Sequence, residues 1–92
     1  MNTQPEMPFI PEFQKADERN KWIKDNASYF TVIKRKGRRY IREEQPTFDL
    51  AVQLAQKRLE QDSDSRYMIY AVYRQSDTLV ATVSSDGVKE HT

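Results

Sequence analysis

The residues of this chain with the most to offer chemically are concentrated in one short run. Lys34, Arg35, Lys36, Arg38, Arg39 and Arg42 fall within nine positions that hold no acid, and they are six of the fifteen basic residues. Cationic groups at this density bind anions, and the guanidinium fork does so best because it matches carboxylate and phosphate geometry. Tyr40 lies inside the run and Tyr29 just before it, adding rings on which an unpaired base or an apolar side chain can rest. Outside the run, nine basic residues face fourteen acidic ones, so a formal net charge of +1 conceals a basic pole on an acidic body. The expected partner of the run is therefore an anion.

The usual routes to catalysis lack parts. The single histidine, His91, stands one residue from the end of the sequence, where a fixed geometry for a general base is not expected. Glu43 and Glu44 are neighbours, so on an extended strand they point to opposite faces and do not flank one substrate. Ser84 and Ser85 have no recognisable base, and there is no phosphate-binding glycine loop or dinucleotide fingerprint. The absence of cysteine removes thiolate chemistry, disulfides and Cys-based zinc sites, and points to a reducing compartment. Asp62-Ser63-Asp64-Ser65 alternates acids as a calcium loop does, but lacks the glycine and the distal glutamate such a loop needs. No enzyme activity, cofactor or metal is expected.

The elements that must carry the basic run follow from hydrophobic spacing. Tyr29-Phe30-Thr31-Val32-Ile33 has the β-branched and aromatic density of a strand, and Lys36-Gly37 is the expected turn into a second one. That register sets Arg35 opposite Arg38, Ile33 opposite Tyr40 and Thr31 opposite Arg42. Phe30, Val32 and Ile41 then collect on the other side, so one face of the hairpin is apolar and the other basic and aromatic. Thr47 is a fitting cap for a helix reaching about Gln61, with Phe48, Ala51, Val52, Ala55 and Leu59 as its buried stripe and Leu50 and Leu54 beside it. Arg66 to Arg74 and Thr78 to Ser84 read as a second hairpin. Its inner set is expected to be Met68, Tyr70, Val72, Leu79, Ala81 and Val83, leaving Tyr67, Ile69, Tyr73 and Val80 outward.

Upstream, Pro5, Pro8 and Pro11 recur every three residues and predict an extended arm, followed by a short helix from Asp17 to about Asn26 with Trp22 docked on the core. Residues 1–26 are thus read as arm and short helix, 27–84 as the core domain, and 85–92 as a flexible tail. The longest apolar run is a few residues, and no basic segment followed by a hydrophobic one opens the sequence, so neither a membrane span nor a signal peptide is expected. Cytoplasm is the expected location.

These readings combine into an α+β domain of ββαββ order: a four-stranded, mostly antiparallel sheet with one main helix on one face. The outward face then grades from apolar, at Tyr67 and Tyr73, to cationic, at Arg35, Lys36, Arg38, Tyr40 and Arg42. This predicts a small interaction protein that binds an acidic surface of another protein, or a second copy of itself, through that face. Binding of RNA or single-stranded DNA by the same residues is the alternative, opposed by a sequence pI near 8.0 where dedicated nucleic-acid binders often exceed 9.

Overall fold

Among residues 9–36 and 39–91, which the computed structural model describes, with backbone alone for 35, 36, 39 and 40, two helices and five strands alternate along the chain. They are α1 (Ala16–Asn26), β1 (Tyr29–Lys36), β2 (Arg39–Gln45), α2 (Phe48–Gln61), β3 (Tyr67–Tyr73), β4 (Ser76–Ser84) and β5 (Gly87–Glu90). The strands form one antiparallel sheet in the order β2-β1-β3-β4-β5. The two expected hairpins therefore lie edge to edge in one layer, joined where β1 pairs with β3.

Each helix is delimited by local chemistry. In α2 the Thr47 hydroxyl accepts from the backbone N–H of Leu50 at 3.2 Å, satisfying one of the first-turn donors that a helix leaves unpaired. α1 carries Asp17 and Glu18 in its positive first turn and Lys24 in its last. The Asn26 side chain donates to the Trp22 carbonyl at 2.8 Å, and Ser28 N–H already bonds Val72 in the sheet, so the helix ends where the sheet begins.

The sequence reading is corrected at the C-terminal segment. Residues read as tail contribute a fifth strand, with Val83 paired to Val88 and Ser84 to Gly87. The turn works because Gly87 adopts φ +114°, where a side chain is strained, and because Asp86 N–H donates to the Ser84 hydroxyl at 3.3 Å.

Both helices pack on the same face. Ile23 of α1 and Ala51 and Ala55 of α2 share one buried core with Phe30 and Val32 of β1 and with Tyr67, Ile69, Ala71 and Tyr73 of β3. Alanines at Ala51, Ala55, Ala71 and Ala81 are all fully buried, and small residues there let α2 approach the sheet closely. Trp22 meets Tyr73 edge to face, with ring centres 4.9 Å apart, and Phe48 meets Phe30 at 5.8 Å. Ile10 of the arm packs against this same core.

Candidate interaction face

Register decides which residues the helices cover. Phe30 pairs with Ala71 and Val32 with Ile69, so the even residues of β1 share a face with the odd residues of β3. Tyr67 and Tyr73, expected outward, are consequently on the helix side, only 5% and 3% exposed. Ile69 and Val80, expected outward with them, are fully buried. Met68, Tyr70, Val72 and Leu79, expected inward, belong to the other face. The correction has a physical cause in β1, whose Phe30 and Val32 fix the phase of the strand beside it.

Val80 is buried for a separate reason. Ile69 pairs with Ala81 but Tyr70 pairs with Leu79, so Val80 is an extra residue, a β-bulge that shifts the phase of β4. Val80 and Ala81 are both inaccessible in succession, which strict alternation forbids.

Neither helix covers the opposite face. Its centre is built from Tyr29 and Ile33 of β1, Met68 and Tyr70 of β3 and Leu79 of β4, all half-buried, around the buried Thr31 and Val72. Tyr29 pairs with Val72 and Tyr70 with Thr31, so the two tyrosines stand diagonally across adjacent strands. Arg42 lies opposite Ile33, exposed, with Glu44 at 3.8 Å as a loose ion-pair partner.

The basic hairpin supplies one edge of this face. Lys36 pairs with Arg39, Arg35 with Tyr40 and Ile33 with Arg42, a register two residues away from the one expected. A shift of two preserves the faces, so Tyr40 and Arg42 stay in register with the odd residues of β1. Arg38, and the side chains of Arg35, Lys36 and Tyr40, lie outside the described residues. Of the expected site residues, Arg42 is therefore on the open face, Tyr67 and Tyr73 are in the core, and Arg35 and Tyr40 are neighbours in register.

Lys34 is spent inside the molecule. Its ammonium donates to Asp62 at 2.5 Å and lies 5.5 Å from the Tyr67 ring centre, with the residue 7% exposed. The hydrogen bond to the Asp62 carboxylate raises its pKa above the ordinary lysine value, outweighing the opposing effect of burial, with Tyr67 adding attraction. Arg58 grips Glu43 through two hydrogen bonds, of 3.2 and 2.6 Å, and this pairing raises the Arg58 pKa. Both pairs tie α2 to the first hairpin on the covered face.

His91 is held, contrary to expectation. Its N–H bonds the carbonyl of Val80 at 2.9 Å, and its Nε2 lies 2.7 Å from the Thr82 hydroxyl. A hydroxyl beside an imidazole is the start of a nucleophile and base arrangement. Among the described residues, however, nothing orients Nδ1, and the hydroxyl is a secondary one.

No family model matches the chain, and no curated protein and no solved structure matches it. No helix among the described residues is long and apolar enough to cross a membrane.

Proposed function

We propose that this chain is a non-catalytic interaction protein that docks the open face of its sheet on an acidic surface of another protein. The single observation that carries this reading is that both helices lie on one side of the sheet while Tyr29, Ile33, Met68, Tyr70 and Leu79 occupy the other. An apolar sheet face ordinarily acquires a covering layer, and a face left without one marks an interaction surface. Its apolar centre supplies the area that binding removes from water, and tyrosine is well suited as an anchor. Arg42, with Glu44 beside it, and the neighbouring run make this margin of the face net positive, which steers an acidic partner and disfavours a basic one. A cytoplasmic location is part of the same proposal and rests on the absence of cysteine.

A second reading rests on the diagonal placement of Tyr29 and Tyr70 beside Arg42. Rings set across adjacent strands with a cation at the margin are what a sheet uses to hold unpaired bases. One experiment separates the two. An aromatic photo-crosslinking residue at position 70, which keeps a ring there, is compared with one at Gln53, which faces water on α2. Protein adducts at 70 alone, lost at high salt and in Arg42→Glu, are expected; RNA adducts at 70 would establish the second reading, and adducts at 53 alone would overturn both.

A further inference from the structure

We infer that the corner where β4 and β5 meet the start of β3 is an anion site that takes a phosphate group. It lies at the β5 end of the open face but rests on other residues than the partner proposed there, since it needs neither the tyrosines nor the basic hairpin.

The site is assembled by the β-bulge. Val80, the extra residue, turns its carbonyl to the N–H of His91, and this fixes the chain beyond β5 so that the imidazole reaches the Thr82 hydroxyl at 2.7 Å. Thr82 pairs with Met68 on one side and with Lys89 on the other, which sets Thr82 and Lys89 on the open face of the sheet. Arg66 precedes Met68 by two residues and reaches the same corner. Together with Asp86 and Gly87, these residues line a cavity of about 380 Å³.

The charges there differ from those that tie α2 to the first hairpin. Lys34 and Arg58 are neutralised by Asp62 and Glu43. Arg66 and Lys89 form no ion pair among the described residues, so two unpaired cations share one cavity with a single carboxylate, that of Asp86. The hydroxyl between them is oriented as well. When His91 donates through Nε2–H, the Thr82 oxygen accepts and its own proton is released toward the cavity. Guanidinium, ammonium and hydroxyl donors then line one cavity, a set that suits the several oxygens of a phosphate. The space beside Gly87 is open, since a Cβ built there meets nothing within 4 Å. Asp86 is the one carboxylate on the rim, and it opposes the anion.

That opposition makes the test sign-specific. The full chain is titrated with sodium phosphate near neutral pH, against sodium chloride at matched ionic strength, and followed by the amide resonances of Thr82, Gly87, Lys89 and His91. Saturable shifts with phosphate and not with chloride are expected. The double variant Arg66→Gln, Lys89→Gln should weaken binding on the order of tenfold or more, and Asp86→Asn should tighten it a few-fold. Unchanged amide dispersion in both variants excludes unfolding as the cause. Equal shifts with chloride, shifts confined to residues 34–42, or unaltered affinity in the double variant would overturn the site. Each of those outcomes leaves the crosslinks at position 70 untouched.

Discussion

Along β3, Tyr67, Ile69, Ala71 and Tyr73 are closed under two helices, while Met68 and Tyr70 of the same strand lie on a side that neither helix covers. Both sets are apolar, so composition does not distinguish them; packing does. The covered set meets alanines from α2 and the Trp22 ring of α1 at close range, whereas the open set stays half-buried on the side away from both helices. One strand thus lines the core on one side and the uncovered face on the other.

The largest test of this contrast is Ile69→Ala. Ile69 is fully buried, and its truncation removes contacts with both layers while leaving a void, for a loss of about 2–5 kcal/mol by urea unfolding. Trp22→Ala comes next, at about 2–3 kcal/mol, because the ring is only part-buried but holds α1 against Tyr73. Trp22 is the only tryptophan, so its fluorescence in the parent protein reports the docking of α1 directly.

How much of this was legible beforehand depends on where a single phase governs. α2 was readable because its apolar stripe is periodic and Thr47 is a cap by residue type; the structure has both. β1 was readable because Tyr29-Phe30-Thr31-Val32-Ile33 is dense in β-branched and aromatic residues. β3 was not, since Tyr67-Met-Ile-Tyr-Ala-Val-Tyr is apolar in either phase and its facing is set by pairing with β1, a contact distant in sequence. The bulge at Val80 adds a phase change that no alternation reveals. Of the expected site residues, Arg42 kept its place because the hairpin register slipped by two, whereas Tyr67 and Tyr73 were lost to the core by the phase of β3. β5 did carry a signal: Asp86-Gly87 between Val83 and Val88 is a strong hairpin cue. So His91, placed by the bulge and β5 together, was the least legible functional group.

The turns offer a smaller effect. Gly87→Ala should cost about 1–2 kcal/mol in the same unfolding assay, since the space is open and only the positive φ opposes a side chain. Thr47→Ala should cost about 1 kcal/mol by removing the first-turn acceptor of α2. A loss at Gly87 well below that at Thr47 would mean that β5 contributes little to the fold.

Smaller again is the alkaline response of the covered face. The pKa of Lys34 is raised above its ordinary 10.5 in the folded protein, so its contribution is complete below that value and lost as pH rises through the higher, folded one. Comparing unfolding of the parent and Lys34→Met across this window should show the two converging as pH increases. Divergence would mean that the pair with Asp62 does not stabilise α2 on the hairpin.

The smallest expected change in stability is also the one that bears most on function. Tyr70→Ala removes a half-buried ring paired in register with Thr31 and Leu79 on the open face, and cross-strand pairs contribute about 0.2–1 kcal/mol each. Its unfolding midpoint should therefore stay close to that of the parent, far from that of Ile69→Ala one residue away. Partner capture at the open face should nonetheless be lost, because the ring that anchors it is gone. If Tyr70→Ala destabilised the fold as much as Ile69→Ala, the two faces of β3 would be equally packed, and the open side of the sheet would have to be regarded as a second core.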